Sequence, residues 1–275
     1  MKPIEKTIKA FPFIILFFAI ISCKHQSKEI HLTYIANAGF HINSTQTSIL
    51  IDALHTHGPD TYLKPSPGLL DSIINGHSIF KTIDYLLITH KHPDHFNDSI
   101  TFEFLNKHEE TQLICPQQVT EILQKQRTTY QKYASRITTI ALDTGRTKKL
   151  SINGLNISAT HIKHADDYKI DNLLYIIDLN SVKVMHSGDS FDTHAINLKD
   201  IDLQREKIDL AILTTGYGRN NFSIAKEQIA PKEIVFCHFH KHLSKRLKNA
   251  IKTDTTTFDN ITVFFNRLES KKYSF

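Results

Sequence analysis

Short apolar blocks bounded by turn residues run through most of the chain, and they read as strands. Three come early, at Ile30–Ile35, Gly39–Ile42 and Ser48–Ile51, with Asn43-Ser44-Thr45-Gln46 as turn chemistry between the last two. His55 to Pro67 carries Gly58, Pro59, Pro65 and Pro67 and reads as a loop. Asp84–Thr89 is a short apolar strand that ends in a cluster of histidines. Ser99–Asn106 and Gln117–Ala134 have helical periodicity, with Val119, Ile122 and Leu123 on one face. Further strands are expected at Leu155–Thr160, Leu173–Ile177, Val182–His186, Asp209–Thr214, Glu233–Cys237 and Ile261–Phe265. Helices are expected at Ile224–Ile229 and Ser244–Ile251. Strands come first and mixed strand and helix follow, twice over. That order predicts an α/β chain with two packed sheets and helices outside, in one domain over residues 30–275.

Composition narrows the picture. The 275 residues are 40% hydrophobic and 22% charged, which excludes disorder or coiled coil over most of the length. The formal net charge is +5, and Lys2, Glu5, Lys6 and Lys9 give the first 22 residues +2 of it. The remaining +3 is too weak a bias to argue for a nucleic-acid partner. Seventeen histidines against three cysteines raise metal chemistry above redox chemistry. Cys115 and Cys237 lie in apolar, strand-like surroundings and are expected as buried single thiols, with a pair between them as the alternative.

The first thirty residues have their own pattern. A short basic stretch precedes Ala10–Ile21, an uncharged apolar run of 12 residues. A helix needs roughly 20 residues to span a bilayer core, so this run reads as the apolar region of a secretory signal. Ile20-Ile21-Ser22-Cys23 resembles a bacterial lipobox, with the small Ser22 before the cysteine that would carry lipid. The expected organisation is a lipoprotein signal peptide over residues 1–22, a polar tether over 23–29 and a folded domain over 30–275. An uncleaved anchor or a plain signal is the alternative. The lipoprotein reading places the chain in a bacterial cell envelope, held to the membrane through Cys23 on the periplasmic or outer-membrane face.

The most informative segment is Thr89-His90-Lys91-His92-Pro93-Asp94-His95, an H-x-H-x-D-H pattern directly after an apolar strand. Imidazole and carboxylate are preferred ligands for zinc and related divalent ions. Two histidines at i and i+2 on an extended stretch point the same way and can reach one metal. Asp94 and His95 follow on a turn stiffened by Pro93, so they can face a second metal close by.

This segment resembles the second motif of the metallo-β-lactamase superfamily. The opening strands ending in Asp52 are similar to the family's first strands. Val184-Met185-His186-Ser187-Gly188-Asp189 is similar to its fourth motif, and His238, at the end of a late strand, to its fifth. His161 and His164 compete for the third. His164 is preferred because it precedes the return strand at Asn172-Leu173-Leu174-Tyr175, while His161 directly ends its own strand. The resemblance implies a four-layer αββα sandwich. It implies two divalent ions, zinc by default with manganese or iron(II) as alternatives. His90, His92 and His164 would hold one, Asp94, His95 and His238 the other, and Asp189 would bridge them. Asp52 is expected to support a ligand histidine through a hydrogen bond. His186, His194, His240 and His242 are expected in the pocket wall or on the surface. Tyr217 is expected on a loop over the site, as a candidate for oxyanion or leaving-group contact.

The implied activity is hydrolysis of a small-molecule ester, lactone, amide or phosphodiester by a hydroxide shared between the ions, with Asp94 and Asp189 as catalytic residues. Within the superfamily the short chain, the early Asn37-Ala38-Gly39-Phe40 and the form His186-Ser187-Gly188-Asp189-Ser190 resemble the branch of L-ascorbate-6-phosphate lactonase-like proteins and N-acyl-phosphatidylethanolamine phospholipase D. True β-lactamases lack the histidine that follows the motif's aspartate. Di-iron oxygen-reducing relatives carry a glutamate where this chain has His92. A transfer-RNA nuclease fits poorly with secretion and low charge. The alternative from another class is a lipoprotein of the same fold that binds a metal or ligand without turnover.

Overall fold

The computed structural model describes residues 28–165, 167, 169–191, 202–218, 225–240 and 260–275. The expected signal peptide, Cys23, most of the expected tether, His194, His242 and the expected helix Ser244–Ile251 lie outside the described residues. Among the described residues no helix is long and apolar enough to cross a membrane.

Two seven-stranded sheets pack face to face. The first half of the chain supplies β1 (Glu29–Ala36), β2 (Gly39–Asn43), β3 (Ser48–Ile51), β4 (Tyr85–Leu87), β5 (Gln112–Pro116) and β6 (Ile137–Ile140). The second half supplies β7 (Thr147–Ile152), β8 (Leu155–Ile162), β9 (Asn172–Leu179), β10 (Val182–His186), β11 (Leu210–Thr214), β12 (Glu233–Cys237) and β13 (Ile261–Val263). The last strand, β14 (Ser270–Ser274), crosses back and pairs with β1, giving the orders β14-β1-β2-β3-β4-β5-β6 and β13-β12-β11-β10-β9-β8-β7. Both sheets begin as antiparallel meanders and end in parallel strands. β3 to β6 run parallel in one, β10 to β13 in the other.

Alternation along the strands builds three cores. Ile30, Leu32 and Tyr34 of β1 face the other sheet and meet Tyr175, Ile177 and Val184 in the central core. In β5, Ile114 joins that core, while Leu113 and Cys115 face outward under the helices. Helices α1 (Pro67–Ile74), α2 (Asp98–Lys107) and α3 (Gln117–Gln124) cover this outer face with Leu70, Ile73, Phe104, Val119 and Leu123. A third core on the far side of the second sheet takes Leu203, Ile229 and Tyr217. The result is the αββα order expected from the family resemblance. Central strands buried on both faces read as continuous apolar runs, which is why they were visible in the sequence.

Several details differ from expectation. The helix expected over 117–134 is two, α3 and α4 (Arg127–Tyr133), broken where Gln126 leaves helical geometry at φ −90°, ψ 63°. The run Ala225–Ile229 is a single π-helical turn. Strands β6, β7 and β14 and helix α1 had no counterpart in the sequence reading. Helix α1 starts at Pro67, where the expected loop ends, with Ser66 as N-cap accepting from the Leu69 amide. Cys115 and Cys237 are both free and buried.

The sheets are tied together beneath the histidine cluster. The Leu173 amide of β9 donates to the carbonyl of Thr89 at 2.9 Å, and the Tyr175 hydroxyl donates to the carbonyl of Ile88 at 2.9 Å. These bonds fix the end of β4 against the second sheet, one residue before His90. Tyr175→Phe leaves a wholly buried carbonyl with one donor fewer and should destabilise the fold by about 1–2 kcal/mol in urea unfolding. Unchanged stability would show that this bond contributes nothing across the sheets.

Candidate metal centre

Strand ends deliver the site. β4 is held parallel between β3 and β5, and the chain leaves it through Thr89 into the H-x-H-x-D-H segment. The His92 carbonyl accepts from the amides of both His95 and Phe96 at 3.0 Å, closing the tight turn that Pro93 starts. Leu54 and Phe96 form an isolated parallel bridge that anchors the far side of the turn. His164 follows the end of β8. Asp189 follows β10, and His238 follows β12.

These loops converge on one volume. Single ligand atoms of His90, His92 and His164 lie within 4.8 Å of one another, and so do those of Asp94, His95 and His238. His90, His95 and Asp189 form a third such group between them. Oδ2 of Asp189 is 3.2 Å from Nε2 of His164 and 3.5 Å from Nε2 of His238, so this carboxylate touches both halves. Asp94 Oδ2 lies 3.4 Å from Nε2 of His238 and 3.9 Å from Nε2 of His95. All seven residues named from the sequence are therefore together. His161 is not among them: its Nδ1–H donates to the Leu142 carbonyl at 2.7 Å.

The hydrogen-bond network sets the histidine tautomers. Asp52 accepts from the Thr89 amide at 2.8 Å, the Thr89 hydroxyl at 2.6 Å and Nδ1–H of His95 at 2.8 Å. The Thr89 hydroxyl has one proton and gives it to Asp52, so it accepts from Nδ1–H of His90 at 3.0 Å. With Nδ1 protonated, each ring turns Nε2 into the cluster, where it can serve as a ligand once that nitrogen carries no proton. Nε2 of His90, His95 and His238 and Oδ1 of Asp189 are buried with no hydrogen-bond partner. Buried polar atoms are normally paired. Converging imidazole lone pairs between two carboxylates fit a divalent cation, and this donor set suits zinc, manganese or iron(II).

Charges in the cluster follow the same logic. Burial and the neighbouring imidazoles of His95, His164 and His92 press His90 well below the ordinary histidine value, keeping it neutral. Burial by itself would raise the Asp189 carboxyl, but His238, His164 and His95 hold it down to about 2. Burial also opposes charge on His95, yet the Asp52 carboxylate outweighs it and pushes the ring up to about 9.

Three of the ten described non-glycine residues with positive φ lie at the site. Asn37, Asp52 and His238 adopt positive φ of 50°, 47° and 56° although none is glycine. Gly188, at φ 57°, is required: a Cβ there would lie 2.2 Å from Oδ1 of Asn172, the atom that accepts the Asp189 amide at 3.0 Å. Ala165 N–H donates to the Asp189 carbonyl at 2.9 Å, which couples the His164 loop to the Asp189 loop.

A profile of the beta-lactamase superfamily domain matches residues 47–251, well over half of the chain. The chain belongs to the beta-lactamase superfamily. It is 27% identical over 219 residues to a metal-dependent hydrolase of Thermococcus onnurineus, covering 77% of this chain and 85% of that protein. A metal-dependent hydrolase of Pyrococcus furiosus is 26% identical over the same length and shares. Among solved structures, a metallo hydrolase from Ignicoccus hospitalis has 19% identity and a TM-score of 0.59, covering 90% of this chain and 99% of its own. A possible metal-dependent hydrolase from Veillonella parvula has 16% identity and a TM-score of 0.62, covering 88% and 98%. At these identities the two structures speak to the fold alone.

Two expectations for this superfamily member are corrected. Tyr217 does not overhang the site: it is fully buried in the outer core and its hydroxyl bonds Oγ of Ser190 at 2.7 Å. His186 is a buried tie, with Nε2–H donating to the Ala38 carbonyl at 2.9 Å and Nδ1 accepting from the Gly188 amide at 3.1 Å. His240 is half-buried, its ring 4.6 Å from that of Tyr62, which also packs 4.7 Å from His238. The sequence reading missed Asn37, Asn172, Tyr62 and His55. His55 is buried near His95 and Asp94, and burial lowers it to about 4.

The His95 ring sits at about 9 against an ordinary 6.5, so its pairing with Asp52 stabilises the metal-free protein fully below about pH 6.5. That contribution is lost as pH rises through about 9. The difference in thermal stability between metal-free wild type and Asp52→Asn should therefore shrink between about pH 6 and about pH 10. A constant difference would mean that the charge on His95 is not its source.

Proposed function

We propose that this superfamily member is a metal-dependent hydrolase with a binuclear centre, acting on a small-molecule ester, lactone or phosphodiester. The observation that carries this reading is the set of buried Nε2 atoms on His90, His95 and His238, aimed between two carboxylates and bonded to nothing. The printed names of the Thermococcus and Pyrococcus relatives agree with hydrolysis that depends on a metal. His90, His92 and His164 would hold one ion and Asp94, His95 and His238 the other, with Asp189 shared. Zinc is the default for this donor set. Such a pair of ions supplies Lewis-acid polarisation of the scissile oxygen and a hydroxide nucleophile near neutral pH.

The chain's own residues do the rest. Asp94 is half-buried, and its carboxylate would accept a hydrogen bond from the attacking water and orient it. Asp52 and Thr89 keep protons on the Nδ1 atoms of His95 and His90 throughout, so neither ring drifts to the wrong tautomer. Tyr62 and His240 wall one flank and limit water there. The Asn37-Ala38-Gly39-Phe40 and His186-Ser187-Gly188-Asp189-Ser190 segments support placement in the branch of L-ascorbate-6-phosphate lactonase-like proteins. The lipobox-like Ile20-Ile21-Ser22-Cys23 supports a lipid anchor on Cys23 and residence in the cell envelope.

Elemental analysis of the purified protein should find about two divalent ions per chain, with chelator-sensitive turnover of generic ester, lactone or phosphodiester substrates. Asp189→Ala should drop the content to about one or less and reduce turnover by ~100-fold or more, since even residues behind the ligands contribute about 10–100-fold. Wild-type protein without metal after zinc, manganese and iron(II) are supplied would overturn the reading. Metal without turnover would favour the binding lipoprotein. Cys23→Ala should move the protein from the membrane to the soluble fraction of expressing cells, and an unchanged distribution would remove the lipid anchor.

A further inference from the structure

The two-residue turn between β1 and β2 contributes no candidate ligand, yet it meets every loop that does so for the second ion. Asn37 Nδ2 donates to Oδ2 of Asp94 at 3.1 Å and to the Asp94 carbonyl at 3.2 Å. The carbonyl of the same residue accepts the amide of His238 at 3.1 Å. The carbonyl of Ala38 accepts Nε2–H of His186, whose other nitrogen holds the amide of Gly188, one residue before Asp189. Gly39 lies so close to the end of β3 that a Cβ would be 2.7 Å from the Asp52 carbonyl. Four chain segments from two sheets are thus gripped by three consecutive residues.

We propose that Asn37 is a positioning residue that sets the site formed by Asp94, His95 and His238, and that the Asn37-Ala38-Gly39 turn is the clasp that fixes its dimensions. This rests on the binuclear reading above. Oδ2, the Asp94 oxygen held by Asn37, is the one that lies 3.4 Å from Nε2 of His238. One side chain therefore orients the carboxylate, and one carbonyl holds the histidine it must meet. The amide orientation is fixed by its partners, because the opposite flip would set Oδ1 against two oxygens. In the orientation adopted, Oδ1 is buried without a hydrogen bond. Glycine would adopt φ 50° more readily and leave no such atom. The residue keeps an unfavourable conformation and an unpaired acceptor, and what it gains is the pair of bonds to Asp94. His90, His92 and His164 receive none of these contacts, so the two ions should respond differently to a change at position 37.

Two variants test this. Asn37→Gly keeps the backbone conformation and removes the amide. Asn37→Asp keeps the shape and replaces the donor with an acceptor. Metal content of the purified protein is followed through a graded chelator series, alongside thermal unfolding of the metal-free form. When metal-free, Asn37→Gly should unfold cooperatively within a few degrees of wild type, and Asn37→Asp should unfold cooperatively at a lower temperature, because it sets a second carboxylate against Asp94. Both should release one ion at roughly 10–100-fold lower chelator strength while the other stays at the wild-type position. Joint weakening of both ions would indicate a loosened fold and overturn the proposal. So would wild-type retention of both ions, or loss of cooperative unfolding in both variants. A wild type that binds fewer than two ions would instead fail the binuclear reading, and the parallel wild-type series separates the two failures.

Discussion

Imidazole and carboxylate groups aimed at one small volume are what the rest of this molecule is arranged around. Leaving a buried polar atom unpaired costs about 1–3 kcal/mol, and a whole domain is stable by only about 5–15 kcal/mol. Nε2 of His90, His95 and His238 together with Oδ1 of Asp189 are such atoms, gathered in one place. Two things make such a site tolerable. The inter-sheet core, with Leu32, Phe40, Tyr175, Val184 and Ile212 all fully buried, is assembled without it. A cation that accepts those lone pairs converts the strain into affinity, which couples metal binding to stability.

The architecture follows from that demand. The ligand loops come from both sheets, at the ends of β4, β8, β10 and β12. No single sheet could bring these side chains together from opposite sides. Each group, His90, His92 and His164 or Asp94, His95 and His238, takes residues from both sheets, so its closure depends on the distance between them, and the bonds from β9 to Ile88 and Thr89 keep that distance directly under His90. Parallel strands serve the purpose because neighbours such as β11 and β12 end at the same edge. Their loops are then close together without any special folding of the loops themselves.

What could be read from the sequence divides along physical lines. Ligands in one contiguous stretch, His90 to His95, announce themselves because their spacing is local. Asp189 and His238 followed from their order along the chain. Between His161 and His164 the deciding fact was the end of β8 at Ile162: His161 is still paired in the sheet opposite Leu173, whereas His164 lies beyond it where the chain can turn inward. Asn37 was visible only as part of the Asn37-Ala38-Gly39-Phe40 segment, and its contact was not, since its bond to Asp94 spans 57 residues. Tyr217 looked like a loop residue because glycines flank it, and only the packed structure shows its ring in the outer core. The three strands that went unread, β6, β7 and β14, are all at sheet edges. Sequences such as Thr-Lys-Lys-Leu-Ser-Ile in β7 and Ser-Lys-Lys-Tyr-Ser in β14 carry the lysines that protect exposed edges from pairing, and those lysines also hide the apolar alternation.

Direction at the site is a property of the backbone more than of side-chain rotamers. Asp52 and His238 each sit where a strand ends and the chain must bend toward the cluster, and each does so in the left-handed region. For a non-glycine residue that conformation costs of order 1–3 kcal/mol and persists only when its surroundings over-determine it. Here they do: Asp52 accepts three hydrogen bonds, and His238 is held by its amide to Asn37 and its carbonyl to Thr215. Gly188 solves the same problem at the third corner without a side chain, because Asn172 already fills the space a Cβ would need. A corner fixed in this way leaves the attached imidazole or carboxylate little freedom to search for its metal. The order of the cluster is thus built into the fold, and residues outside the candidate ligand set, such as Asn37, Gly39 and Asn172, supply part of it.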